Sequence, residues 1–238
     1  MQNVIEIKNL NKTFNAKKVL QGVNLAIPNG GIFGIVGLNG AGKTTLIKCV
    51  LSLIPDFDGE ILINKIDSKN SRARQCVAYM PEKFAPNANL VTSEYIEFYA
   101  NLYKTKFDIK KVESLANDIQ LPLQFLNLKI GQCSKGTIQK IGILACLYVD
   151  AQVIIMDEPT TGLDIISRYS LKAILNKYSK EKTIIFSSHI LSDVEELAHN
   201  VAVISKGVAA FCGNPQNFVK SQNAKNFEEA FVLHEKQI

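Results

Sequence analysis

Residues 37 to 45 read Gly37-Leu38-Asn39-Gly40-Ala41-Gly42-Lys43-Thr44-Thr45, which puts glycines, then Lys and Thr, at the spacing of a phosphate-cradling loop. Glycines let successive backbone N–H groups turn toward one anion. A helix beginning near Lys43 adds the partial positive charge of its N-terminus. The Lys43 ammonium can then bridge β- and γ-phosphate oxygens, and the Thr44 hydroxyl can ligate Mg²⁺. The loop follows the apolar run Ile32–Val36 and precedes a helical pattern from about Lys43 to Leu53, the context that this motif requires.

A second group lies far downstream. Val153–Met156 is an apolar strand that runs into Asp157 and Glu158. A buried strand ending in Asp aims that carboxylate at the ligand edge of a parallel sheet, so Asp157 is the expected second contact to Mg²⁺. Glu158 can then orient or deprotonate a water attacking the γ-phosphate. Asp-Glu-Pro also suits a plain strand-to-turn cap, and the phosphate loop favours the chemical reading. His189 follows the strand Thr183–Ser187 and should emerge at the same edge, within reach of the γ-phosphate. His199 and His234 have no such placement.

The elements that must hold these groups alternate between strand and helix. Val4–Lys8 and Val19–Ile27 alternate as half-exposed antiparallel strands do. Ile61–Ile63 and Val77–Met80 read as short strands. Between about 87 and 148 the pattern is helical only: Tyr95, Phe98, Tyr99 and Leu102 share one face, Val112, Leu115, Ala116 and Ile119 another. Ser134 has the position of an N-cap for a helix from Lys135 to about Leu147. Then come strand Gln152–Met156, helix Ile165–Tyr178, strand Thr183–Ser187, a short helix Leu191–Leu197, and strands Val201–Ser205 and Val208–Cys212 joined by a Lys206-Gly207 turn. Phe227–Val232 is expected to be a docking helix. The alternation predicts an α/β fold with a mostly parallel sheet covered by helices, an N-terminal antiparallel β part and an inserted helical lobe. One domain over 1–238 is expected, with its β and nucleotide-binding core at about 1–86 and 149–212, the helical part at 87–148 and a C-terminal extension at 213–238.

Composition sets limits on this reading. Hydrophobic residues at 47% and charged residues at 21% are those of a globular chain able to bury a core without staples. The five cysteines form no CxxC pair, so buried thiols in a reducing compartment are expected rather than metal ligands. The start carries no basic n-region or apolar h-region, and the longest apolar stretch, Ile141–Met156, is broken by Asp150 and Gln152 and is too short to span a bilayer. No secretory signal and no membrane pore are expected. The net charge of +5 comes from scattered lysines and reads as a solvated surface, so no nucleic acid partner is expected.

Ser134-Lys135-Gly136 at a helix start, then Met156-Asp157-Glu158-Pro159-Thr160-Thr161-Gly162-Leu163-Asp164, then His189, resembles the ATPase subunits of ATP-binding cassette transporters, from about Ile5 to Ile204. The resemblance implies a P-loop NTPase core, ATP and Mg²⁺ as ligands, and ATP hydrolysis coupled to transport. It implies that Phe14 stacks on adenine and that Glu82 stands where a Gln usually senses the γ-phosphate and Mg²⁺. It implies that Ser134 and Gly136 bind the γ-phosphate held by a second copy, that Asp164 lies in the loop facing that copy, and that His189 is a switch residue. The implied partners are a second, head-to-tail copy and a separate integral membrane permease, with the chain peripheral on the cytoplasmic face of the membrane. The permease is expected in a groove near Glu82–Tyr99, where Phe84 and the stripe of Tyr95, Phe98 and Tyr99 could meet it or belong to the lobe core. Glu82, Lys135 and Thr137 depart from the usual Gln, Gly and Gln. Ser-Lys-Gly with a Pro-Glu loop looks like the exporter subgroup with separate ATPase and membrane chains. A soluble ATPase of the same family acting on ribosomes or DNA, and a module that senses ATP without turnover, are the alternatives.

Overall fold

The alternation that begins at Val4 runs on into a 12-residue strand, β1 (Asn3–Phe14), which turns at Asn15 and pairs antiparallel with β2 (Lys17–Pro28). Both strands are longer than the apolar spacing indicates, because their far halves are polar ribbon with several register shifts. β3 (Gly31–Val36) leads through the glycine loop into α1 (Lys43–Val50). This helix stops before Leu53 because Ser52 takes a left-handed φ of 52° and Pro55 follows. β4 (Asp58–Ile63) and β5 (Ile66–Asp67) complete a four-stranded antiparallel sheet of order β2-β1-β4-β5. A short α2 (Ser71–Arg74), capped by Asn70, precedes β6 (Val77–Met80).

The named elements between β6 and the next strand are helical: α3 (Thr92–Leu102), α4 (Ile109–Asp118), 3₁₀ turns at Leu123–Asn127 and Ile130–Gln132, and α5 (Lys135–Tyr148). The chain then returns with β7 (Val153–Asp157), α6 (Ile165–Tyr178), β8 (Thr183–Ser188), α7 (Leu191–Leu197), β9 (Asn200–Ser205), β10 (Val208–Gly213), α8 (Pro215–Ser221) and α9 (Phe227–Gln237). A six-stranded sheet has the order β10-β9-β3-β8-β7-β6, parallel except for β10. The computed structural model describes residues 2–237, and Met1 and Ile238, the ends of the expected domain span, lie outside the described residues.

Each central strand serves two cores, since successive side chains point to opposite faces. Phe33, Ile35, Ile155 and Ile185 face α1 and the antiparallel sheet. Ile32, Val36, Ile154, Met156, Ile184 and Phe186 face the helices. Strands buried on both sides read as continuous apolar runs, which is why β3, β7 and β8 were legible.

Several expectations need correction. In α3 the buried face is Thr92, Ile96 and Ala100, and Phe98 and Leu102 point outward, 55% and 62% exposed. Tyr95 and Tyr99 are half-buried and stack with Phe84 and Tyr103 in one column. The Phe84 ring also lies over Gly142, where it would meet an added Cβ at 2.9 Å, and it packs partly buried against the helix-side core. Of the cysteines, Cys49 and Cys146 are buried, and burial pushes the Cys146 thiol up to about 12, but Cys212 is exposed. Helix α8 went unread, although Asn214 caps it and Pro215 opens it.

Candidate functional site

The C-terminal ends of β3, β8, β7 and β6 lie side by side, and each delivers part of one cleft of about 470 Å³. Its walls are Phe14, Val19, Asn39, Gly40, Gly42, Lys43, Thr44, Thr45, Glu82, Glu158, Thr161 and His189. A larger depression, about 640 Å³, lies by the opposite ends of these strands near Arg72, Gln152 and Lys182, and holds none of the expected residues.

From β3 comes the loop. Gly37 is fixed by close approach, since a Cβ there would stand 2.2 Å from the Ile204 carbonyl oxygen. Gly42 holds φ 112°, and a Cβ would meet the Leu20 side chain at 2.9 Å. Gly42 is also the N-cap of α1, with no side-chain cap. The first amides of a helix have no partner within it, so those of α1 are left for an outside acceptor. Leu38 is exposed, and the Ala41 amide closes the loop on the Leu38 carbonyl. The buried Lys43 ammonium donates to the carbonyl oxygens of Gly37 at 2.8 Å and Leu38 at 3.3 Å, and lies 3.6 Å from Glu158 Oε1. Lys43 is thus held against the loop that an anion would fill.

From β7 and β8 come the acids and the histidine. Asp157 is fully buried and accepts from Ser187 Oγ through Oδ1, whereas Oδ2 has no partner among the described residues. A buried carboxylate oxygen left unpaired is costly unless a ligand completes it. Asp157 Oδ2, Thr44 and the uncapped amides of α1 therefore fit a phosphate group with its cation. No three His, Cys, Asp or Glu side chains among the described residues form a metal site by themselves. Glu158 adopts φ 54°, and its amide donates to Ser187 Oγ at 2.9 Å. Its Oε2 stands 2.8 Å from His189 Nδ1 and accepts from Thr161 Oγ1 at 3.4 Å. His199 is structural: its Nδ1 accepts from the Ile32 amide at 2.9 Å.

From β1 comes Phe14, 41% exposed, with Lys12 Nζ 5.0 Å from its ring centroid. From β6 comes Glu82, two residues beyond Met80, which pairs with Met156. Sequence reasoning missed Val19, Thr161 and Ser187. Thr161 lies three residues after Glu158 and was readable, but Ser187 is recognisable only once the register pairs it with Asp157.

Ser134 and Gly136 are not in this cleft. Ser134 Oγ accepts from the Thr137 amide at 3.2 Å and caps α5, and only the Gly162 carbonyl lies near the Cβ position of Gly136, at 3.5 Å. Asp164 caps α6, accepting from the Ser167 amide and hydroxyl at 2.8 Å, and these bonds hold its carboxyl below the usual range.

The fold is that of a P-loop NTPase, with a helical lobe between β6 and β7. A family model described as ABC transporter matches residues 20–161. The chain is 31% identical to the ABC transporter ATP-binding protein NatA of Bacillus subtilis (strain 168), over 90% of this chain and 89% of that protein. Among solved structures it is similar to an ATP-binding subunit of an ABC transporter, with a TM-score of 0.87 and 26% identity over 97% of this chain and 99% of that one. A dimeric ATP-binding cassette in a post-hydrolysis state, bound to ADP and Pi, shares the fold with a TM-score of 0.79 at 21% identity, over 88% and 98% of the two chains. The chain therefore belongs to the ABC transporter family, as an ATP-binding ATPase subunit. Among the described residues, no helix is long and apolar enough to cross a membrane.

Proposed function

We propose that two copies of this chain, head to tail, enclose Mg-ATP, hydrolyse it and drive export through a separate integral membrane subunit on whose cytoplasmic face they sit. The observation that carries the catalytic part is Glu158, held between Lys43 and His189 at the mouth of the glycine loop. In this reading the Lys43 ammonium leaves the Gly37 and Leu38 carbonyls for β- and γ-phosphate oxygens. The uncapped amides of α1 take the phosphates, and Phe14 stacks on the base. Thr44 and Asp157 would hold Mg²⁺, with Glu82 as a further contact, and a cation there would supply positive charge against the phosphate oxygens. Glu158 Oε accepts the proton of the attacking water, and the His189 imidazole orients that carboxylate and reaches the γ-phosphate.

Two features support a second copy. Ser134 and Gly136 lie outside the cleft, at the start of a 14-residue helix whose N-terminus suits an anion held by a neighbour. Ile165, Ile166 and Tyr169, at the start of α6, are 86%, 67% and 76% exposed, an apolar group just after Asp164 that an isolated chain gains nothing from displaying. For the membrane subunit we propose the outward face of α3, where Phe98 and Leu102 stand one turn apart. The helical segment 87–148 would then move as a lobe between that subunit and the cleft. Export, rather than import, is supported by the resemblance of the Ser134-Lys135-Gly136 and Pro81-Glu82 pattern to the exporter subgroup.

Glu158→Gln tests this reading. It should retain ATP affinity, lower kcat by roughly 10²- to 10⁴-fold, and accumulate an ATP-bound dimer by size-exclusion chromatography. Hydrolysis at the wild-type rate would remove Glu158 from the role of base.

A further inference from the structure

The cleft has an electrostatic imbalance. Of its charged groups, Lys43 is already engaged by Glu158, and Glu158 also holds His189. Glu82 faces the same space, exposed, and no ion pair reaches it among the described residues. Among the described side chains that line the cleft, Lys43 stands against Glu158 and Glu82, with the buried Asp157 behind, in a site whose loop is built for a polyanion.

The strand register brings these acids together. The parallel β6–β7 ladder ends at the Met80–Met156 pair, and Glu82, two residues past it, lines the same cleft as Glu158, which follows β7. The Tyr79 phenol supports this: it is buried without a partner, and its pKa is raised by burial first, then by the charges of Asp157 and Glu82. Two carboxylates, one at the end of β7 and one just past β6, thus act on one hydroxyl. A bare triphosphate would meet the same field, whereas a divalent cation bound with it would be drawn in by both.

We propose that Glu82 makes nucleotide capture conditional on the divalent cation, so that the metal complex of ATP is accepted and metal-free ATP is turned away. This rests on the reading of the glycine loop as the ATP site. Metal-free ATP carries about two more negative charges than its magnesium complex, and one unit charge a few ångströms away in a hydrated cleft is worth roughly tenfold in affinity.

The test is fluorescence titration of the purified chain with N-methylanthraniloyl-ATP, in EDTA and in MgCl₂, for wild type, Glu82→Gln, Glu82→Ala and Lys43→Ala. The wild type should strongly prefer the magnesium complex. Both Glu82 variants should bind metal-free nucleotide roughly tenfold more tightly, so that the ratio of the two Kd values contracts by that factor. Glu82 is exposed, so unchanged urea midpoints should accompany this result. If Lys43→Ala loses the nucleotide but the Kd ratio of both Glu82 variants stays at the wild-type value, the role of Glu82 is overturned and the site stands. If Lys43→Ala binds as wild type, the site itself is misplaced and the proposal falls with it.

Discussion

Glu158 holds a left-handed backbone, φ 54°, that residues with a side chain seldom adopt. Such a conformation costs on the order of 1–3 kcal/mol and persists only where its surroundings enforce it. Here the enforcement is Ser187, whose Oγ accepts from the Glu158 amide and donates to Asp157. One hydroxyl thus fixes both acids. Ser187→Ala leaves the buried Asp157 Oδ1 and the Glu158 amide unpaired, and should cost about 2 kcal/mol in urea unfolding. It should also lower kcat in an ATPase assay; a variant with wild-type kcat would show that Ser187 does not position Glu158. The acids and the loop were legible because each sits in a local run, Val153–Glu158 and Gly37–Thr45. Ser187 was not, because its role exists only through pairing across strands.

At the scale of elements, α3 shows where periodicity misleads. Tyr95, Phe98, Tyr99 and Leu102 satisfy a helical stripe, yet the buried face of α3, which packs on α5, is set by the smaller Ile96 and Ala100. The tyrosines lie along the flank, where an apolar ring can be covered while the hydroxyl finds a partner. Tyr99 donates to the Tyr79 carbonyl at 3.3 Å and Tyr103 to that of Val77 at 2.8 Å, so the end of α3 is tied to β6, the strand that leads to Glu82. Tyr99→Ala should therefore cost about 3 kcal/mol and Phe98→Ser less than about 0.5 kcal/mol, as read from denaturant midpoints. Equal losses would mean that Phe98 is covered within the chain. Helix α8, opened by Asn214 and Pro215, carries a start signal as plain as that of α5. It went unread because only seven residues follow, too few for a periodic stripe.

For the whole molecule, the proposed dimer is the consequence that reaches furthest. Ile165 and Tyr169, four apart on α6, form an apolar group beside the loop that joins Glu158 to Asp164. Ile165→Glu with Tyr169→Glu should weaken the ATP-bound dimer of Glu158→Gln by roughly tenfold or more, measured by analytical ultracentrifugation, while single copies still bind nucleotide. A dimer of undiminished strength would move the interface elsewhere. The sheet order was legible only in outline, since alternation of strand and helix gives parallel pairing but not which strands are neighbours.

That order bears on how the chain comes to be folded. β1 and β2 pair across a short turn and can form as soon as they leave the ribosome, whereas β3 must wait for β8 and β9: Gly31 pairs with Thr183, and Phe33 with Asn200. Contacts so distant along the chain form slowly and late. The glycine loop, made early, stays without its opposing acids and histidine until most of the polypeptide has been synthesised. A nascent or truncated chain therefore carries the phosphate motif in its sequence but cannot spend ATP.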